Sequence, residues 1–454
     1  MSTSPTTDLA DELTRRVTGR VLTDPDITAA YSRDHCMIAE HGTPAAVVLA
    51  QSTQDVQAVM RVANHFGTPV VTRGAGTGLA GGANAIDGCI VVSLAAMNRI
   101  LDIDPIDKLA TVEAGVVNAD LDAAARRHGL FYAPDPGSRA ISSIGGNLAT
   151  NAGGMCCAKY GVTRDHAVTL TVVLASGEVT TIGTRTRKDA IGLSLVPLIV
   201  GSEGTLCIIT EATVRLTPVP PACATAVATF ADIRDAVEFV SELRQPAAAE
   251  LMDRVTVRAV NEMTSMGLDE NAGATLIIQL DDADAATRIR DCVTAAERHG
   301  ATETYWTGDP DEGAMFMQAR RAALPALERL GTVILDDVCV PVSRLADMQS
   351  SIDRIADEHR LLIGTFGHAA DGNLHPTIVV DPADAAALHR ADAAFHGIVD
   401  AALALGGTAS GEHGTESLKS PFVTAQVGDT QSRLMQGIRK VFDPHGLLNP
   451  GKLL

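Results

Sequence analysis

From Pro134 to Gly161 the chain reads PDPGSRAISSIGGNLATNAGGMCCAKYG. Few of these side chains are large enough to build a core. Glycine and other small residues let a backbone approach closely, so the stretch suits main chain laid against a flat ligand. A second glycine-rich segment, RGAGTGLAGG (Arg73–Gly82), runs directly out of the apolar Pro69-Val70-Val71-Thr72. A strand that opens into successive unhindered amides can cradle a pyrophosphate. A Rossmann fingerprint is disfavoured, because a helix should follow at once and GGANAIDG follows instead. A Walker loop is excluded, since no Gly-Lys-Ser/Thr closes the segment. The plain alternative is a flexible inter-strand loop, and the coupling to the small-residue stretch argues against it.

The 454 residues suffice for two or three domains, and 46% hydrophobic with 20% charged residues is a globular composition. A net charge of −19 without a long basic run argues against nucleic acid and against an anionic membrane surface as general partners. An anionic substrate would then need local positive charge. The N-terminus carries no apolar h-region, and no apolar run reaches spanning length. The expected location is cytoplasmic, with attachment to the inner face of a membrane through a partner left open. The eight cysteines are scattered and include no C-x-x-C pair, so neither an iron–sulfur centre nor a disulfide framework is signalled.

The order of elements reads as follows. Asp8 to Val21 is a surface helix and Ala45 to Ala50 a strand. Ser52 or Thr53 caps a helix with Val56, Val59, Met60, Val62 and Ala63 at helical spacing. Gly88 to Leu94 and Leu109 to Glu113 are strands, and Asn118 caps a helix through Arg127. Val168 to Ala175 and Glu178 to Ile182 form a hairpin about Ser176-Gly177. Pro218, Pro220 and Pro221 mark a boundary. Beyond it, strands at Ala224–Phe230, Ala274–Leu280, Val333–Val340 and Leu361–Phe366 alternate with helices at Ile233–Arg244, Ala285–His299 and Arg344–Glu358, a second α+β domain.

In that domain Leu361 to Pro376 reads LLIGTFGHAADGNLHP. An apolar strand leads into the turn formers Asp371, Gly372 and Asn373, so His368 and His375 flank a tight turn. Ser410-Gly411-Glu412-His413-Gly414 adds a carboxylate and a third histidine in another glycine-rich loop. Two histidines and a glutamate could form a three-ligand site with open positions. Histidine pairs at turns are more often structural.

The segments RGAGTGLAGG, PDPGS, IGGNLATNAGGMCCAKYGVTRD, GSEGTLCIITEATVRLTP, DDVCVPVSRL, GHAADGNLHP, SGEHG and FDPHGLLNPGK occur in that order. From about Tyr31 to Leu454 the chain resembles the flavoprotein dehydrogenases of D-2-hydroxy acids: D-lactate dehydrogenase, the flavin subunit of glycolate oxidase and D-2-hydroxyglutarate dehydrogenase. The resemblance implies an α+β fold: a two-subdomain FAD-binding domain of the vanillyl-alcohol-oxidase (PCMH) type and an α+β cap domain with an antiparallel sheet. The expected divisions are an N-terminal helical segment (1–40), the FAD domain (41–217), the cap domain (218–430) and a C-terminal tail returning to the FAD domain (431–454), whose last stretch FDPHGLLNPGKLL is turn-rich.

By the same resemblance Arg73, Gly74, Ala75, Gly76, Thr77, Gly78 and Leu79 wrap the FAD pyrophosphate. Pro136, Ser138, Gly145, Gly146, Asn147, Thr150, Gly153 and Gly154 contact the flavin and its ribityl chain. Glu203, Gly204 and Ile208 lie near the adenine half, and Asn449 returns to the ring. No histidine lies in Arg73–Gly82, so non-covalent FAD is expected. His368, His375 and Glu412 match the family's metal ligands, with Zn²⁺ or Mn²⁺ the plausible ions. His413 matches the general base, or else steadies Glu412. Arg320 matches the position that binds the substrate carboxylate, with the adjacent Arg321 its competitor, and Asn373 bonds the substrate or fixes the loop. Oxidation of the hydroxy acid removes the hydroxyl proton and sends the Cα hydrogen, as hydride, to flavin N5.

In family members that take 2-hydroxyglutarate, a lysine before the D-x-x-x-P strand binds the distal carboxylate. Here Val333-Ile334-Leu335-Asp336-Asp337 carries no cation, and a buried second carboxylate without a partner is costly. A short monocarboxylate is therefore expected, D-lactate first and glycolate next. The alternatives are D-2-hydroxyglutarate oxidation, a non-catalytic flavin subunit that relays electrons, or an NADPH-dependent flavin reductase. The electron acceptor would be a quinone, a cytochrome, an electron-transferring flavoprotein or an iron–sulfur subunit. A homodimer is left open.

Overall fold

The computed structural model describes residues 5–36 and 38–453. Expectations for residues 1–4 and Leu454 lie outside the described residues. The chain divides into two compact units: Met1–Gly153, Gly161–Val219 and Glu412–Leu454 form one, and Gly154–Tyr160 with Pro220–Gly411 the other. The sequence places the divisions at 217/218 and 430/431. The units divide at 219/220 and 411/412, with a short excursion at 154–160.

The first unit holds two sheets. In the four-stranded one, Ala46–Leu49 and Val70–Arg73 both run parallel to Ile90–Ser93, which lies between them. The helix Thr53–Phe66 is capped by Ser52, whose hydroxyl accepts from the Asp55 amide at 3.2 Å. Val56, Val59, Met60, Val62 and Ala63 are all buried in its core.

The N-terminal helix ends at Arg16, short of the expected Val21. Arg20–Leu22 is instead a strand paired antiparallel with Ala46–Leu49. The buried Asp55 carboxylate takes the amides of Thr18 at 2.7 Å and Gly19 at 3.2 Å, which turns the chain out of the helix. Only glycine fits at position 19, since a Cβ there would lie 2.1 Å from Leu49 O.

The five-stranded sheet is antiparallel, in the order Ile100–Asp104, Leu109–Glu113, Cys207–Arg215, Ala167–Leu174, Val179–Gly183. Asn118 does not cap its helix. It is the first helical residue, and its buried amide donates to Pro134 O at 3.1 Å and Asn147 Oδ1 at 3.2 Å. The expected tail from 431 begins inside the helix Ser420–Phe442; the stretch after that helix is turn-rich, as its composition suggests. The Asp443 carboxylate takes the amides of Leu447 and Leu448, and Leu448 bridges in parallel to Val70.

The second unit is built on an eight-stranded antiparallel sheet. Its order is Ala301–Thr307, Ala224–Phe230, Ala274–Leu280, Ala248–Asp253, Leu362–His368, Asn373–Val380 and Thr332–Leu335, with Val338–Cys339 also paired to Asn373–Val380. Val333–Val340, read as one strand, is thus broken at Asp336-Asp337. Both aspartates are buried, and the break lets Asp337 reach polar partners rather than enter a ladder. The helix from Ile233 stops at Val240 rather than Arg244. Gln245 is left-handed (φ 45°) and precedes Pro246, a pairing hostile to helix. Lys159 and Tyr160 fasten the 154–160 excursion to Asp281, and Met155 joins the core around Met252, Val257 and Leu327.

Candidate flavin cradle and histidine face

Val70–Arg73 lies between Ile90–Ser93 and the tail: Val70 N donates to Leu447 O at 2.7 Å and Asn449 N to Val70 O at 2.8 Å. The glycine loop therefore leaves a strand held on both edges. Its far end is anchored too. Gly82 N donates to Glu416 Oε2 at 2.6 Å, Asn449 Nδ2 to Gly82 O at 3.1 Å, and Lys452 Nζ to Gly81 O at 2.7 Å.

Between these anchors, no hydrogen bond within the described residues is made by the amides of Gly74, Ala75, Gly76 and Thr77. Arg73 reaches back to Arg33 O at 2.8 Å. A Cβ at Gly74 would lie 2.5 Å from Ser143 Oγ, and one at Gly145 2.6 Å from Ala114 Cβ. Loop and helix Ile144–Thr150 thus approach at backbone distance. Ser143 caps that helix by accepting from Gly146 N at 3.3 Å. Orphan amides beside a helix N-terminus form an anion cradle, and these residues fit a dinucleotide pyrophosphate.

The other expected flavin residues fall as follows. Pro136 and Ser138 form a turn, their carbonyls accepting from Arg139 and from Ile141 and Ser142. Asn147 is buried and accepts from Asn118, and Thr150 Oγ1 donates to Gly146 O at 3.2 Å. Gly153 closes a segment of the first unit and Gly154 opens the excursion. Gly204 has φ 72°. Ile208 places its side chain in the core, leaving only backbone for a ligand. Leu79 is half-buried.

The Glu203 carboxylate accepts from Thr415 N at 2.6 Å and Glu416 N at 2.7 Å. Burial pushes it up to about 7, against those two hydrogen bonds. Burial, together with the charges of Glu203 and Asp34, raises Glu416 well above the ordinary carboxylate range. Asn449 Oδ1 is buried without a partner, an acceptor that a ligand N–H could satisfy.

In the second unit His368 ends one strand and Asn373 begins the next, with Gly372 in the turn (φ 77°). Register pairs His368 with Asn373 and Phe366 with His375, so all four share one face. The two imidazoles are diagonal neighbours with centroids 5.1 Å apart, and each offers a ring nitrogen within 4.8 Å of the other's. The next strand places Glu250 opposite His368, with its oxygens 2.8 and 3.0 Å from Nδ1. A carboxylate only accepts, so Nδ1 carries the hydrogen and Nε2 remains as the ligand atom.

Asp337 lies 3.7 Å from His375 Nδ1 and accepts from Asn373 Nδ2 at 2.8 Å and Ser410 Oγ at 2.9 Å. The second amide hydrogen of Asn373 goes to Val338 O at 2.9 Å, so this residue ties the turn down. Arg320 is buried in the last turn of its helix and Arg321 is exposed. Arg320 lies 4.5 Å over the Phe366 ring, its Nε 2.8 Å from Glu250 Oε2.

Gly411 ends the second unit; a Cβ there would lie 2.4 Å from Asn373 Nδ2. Glu412 and His413 follow it in the first unit, with 3.7 Å between Oε1 and Nε2. Two buried imidazoles on one face, one of them backed by a carboxylate, suit a divalent cation.

Glu250 and Asp337 were not singled out as site residues by sequence. Asp337 stands out there only as part of a segment without a cation. Glu250 had a signal, a lone acid in the apolar run AAAELM.

The FAD binding domain family matches residues 44–183, and the C-terminal domain family of FAD linked oxidases matches residues 219–453. The chain belongs to the FAD-linked oxidases and is an FAD-dependent oxidoreductase. It is 38% identical to the glycolate oxidase subunit GlcD of Bacillus subtilis (strain 168), over 96% of this chain and 92% of that one. It is 34% identical to the D-lactate dehydrogenase of Anaerostipes hadrus, over 96% and 94%. Among solved structures, p-cresol methylhydroxylase aligns with a TM-score of 0.83 at 18% identity, covering 100% of this chain and 97% of the other. That likeness establishes the PCMH-type fold expected from the sequence. No described helix is long and apolar enough to cross a membrane.

Proposed function

We propose that the protein is a metal-assisted dehydrogenase of a short D-2-hydroxy acid, D-lactate first and glycolate next, that yields the 2-oxo acid. The observation that carries this reading is the buried face of His368, His375, Glu250 and Arg320. It offers ligands for a cation beside a guanidinium suited to a carboxylate. In this reading His368, His375 and Glu412 would hold Zn²⁺ or Mn²⁺. A cation so held would supply Lewis-acid polarisation of the substrate hydroxyl, and FAD in the cradle would supply the hydride acceptor. His413 takes the hydroxyl proton on a ring nitrogen, Arg320 binds the carboxylate, and Asn373 keeps the histidine turn in place.

The names of the relatives support the substrate class. Asp336 and Asp337, both buried, supply negative rather than positive charge where a second substrate carboxylate would need a cation. Electrons then pass to an acceptor other than NAD: a quinone, a cytochrome, an electron-transferring flavoprotein or an iron–sulfur subunit. The relative named as a subunit of glycolate oxidase favours a partner protein in that role.

Measuring kcat/KM on D-lactate, glycolate and D-2-hydroxyglutarate with an artificial acceptor tests the reading. The two monocarboxylates should be preferred by tenfold or more. A preference for the diacid overturns the substrate assignment.

A further inference from the structure

Glu250 is placed by strand register, directly opposite His368 and in the interior of the sheet. Its side chain is fully buried. A carboxylate in that position is tolerated only with close partners. It has two of different kinds: the Nδ1–H of His368 and the guanidinium of Arg320, which is also seated over Phe366. Phe366 lies two residues before His368 on the same face of the same strand.

We propose that Glu250 is a positioning residue that couples cation binding to substrate-carboxylate binding; this rests on the metal-assisted reading above. The carboxylate fixes His368 in the tautomer that leaves Nε2 as the ligand nitrogen, and makes that nitrogen more basic. It also fixes where the Arg320 guanidinium sits and compensates its charge, so that the arginine need not be neutralised by substrate to stay buried. One side chain, itself neither ligand nor substrate contact, therefore sets two affinities. A carboxylate that only neutralised Arg320 for stability would leave metal affinity alone.

The test uses the full chain with FAD bound. Zn²⁺ and Mn²⁺ affinities are read by competition with a chromophoric chelator after metal stripping, and KM is read on D-lactate. Glu250→Gln offers His368 only a neutral acceptor and turns an amide toward Arg320. It should weaken metal binding about 10- to 100-fold and raise KM about tenfold, with flavin content unchanged. Glu250→Asp keeps the charge, and with it the fold, but is too short to meet both partners. At least one of the two affinities should fall by about tenfold. His368→Ala runs in the same titration. If it binds metal as the unaltered protein does, the metal reading fails and this inference with it. If His368→Ala loses metal while both Glu250 variants keep metal affinity and KM within twofold, the metal reading stands and the coupling is overturned.

Discussion

The side-chain amide of Asn449 donates to the backbone carbonyl of Glu203 at 2.7 Å. It joins the tail to the turn that precedes Cys207–Arg215. The same amide donates to Gly82, so one side chain secures the end of the glycine loop as well. Asn449→Asp keeps the shape and loses both donors. It should cost about 2–4 kcal/mol of stability, since two buried carbonyls lose a partner. FAD affinity, read by flavin fluorescence on dilution, should fall about tenfold or more.

The carboxylates beneath that loop make stability depend on pH. Glu203 is pushed up to about 7 from 4.5, and Glu416 is also raised well above its ordinary range, while the buried Lys452 is lowered by desolvation. For an acid whose folded value is raised, the native state holds the proton that the unfolded chain has released. Its stabilising contribution is complete below about pH 4.5 and is lost as pH rises through about 7. Denaturant unfolding at intervals from pH 5 to pH 8 should therefore show declining stability, by about 3 kcal/mol for Glu203 alone. Glu203→Gln should flatten that slope. A stability that rises steadily to pH 8 contradicts the assignment.

The histidine pair should act on chemistry and not on flavin retention. His368→Ala and His375→Ala lie in the second unit, whereas the cradle of Gly74–Thr77 and Ser143 belongs to the first. Each variant should keep its FAD absorbance through gel filtration. Steady-state turnover should fall by about a hundredfold or more, the size of effect expected when metal polarisation is lost.

Arg320 and Arg321 should separate cleanly. Arg320→Met removes the buried cation and should lower kcat/KM for D-lactate about 30- to 1,000-fold, as for a lost charge-assisted pair. It should also lower the melting temperature, because Glu250 then lacks its cation. Arg321→Met, at an exposed position, should stay within about 0.5 kcal/mol of the parent in stability and within twofold in kcat/KM. Equal losses in the two variants would reverse the choice of Arg320.

The sequence revealed what was local. The Ser52 cap, the helix face from Val56 to Ala63, the hairpin about Gly177 and the turn between His368 and His375 are all set by neighbours a few residues apart. What escaped it depends on partners far away in the chain. Gly19 is a glycine because of Leu49, and the N-terminal helix stops early because of Asp55. Asn118 gives up capping to meet Pro134 and Asn147. Glu250 is unreadable as a site residue until register sets it opposite His368, 118 positions on. The motif residues of the glycine loop and Glu203 were visible, but not the hold that the buried Glu416 and Lys452 take on the loop's far end.

The most direct measurement is anaerobic mixing of the FAD-bound protein with D-lactate, followed at the flavin absorbance near its visible maximum, before and after metal stripping and after Zn²⁺ or Mn²⁺ is restored. Rapid bleaching is expected in the metal-loaded protein, with loss of bleaching on stripping while FAD stays bound, and recovery on restoration. Bleaching that survives stripping unchanged, or bleaching by NADPH and not by any hydroxy acid, would contradict the proposed function.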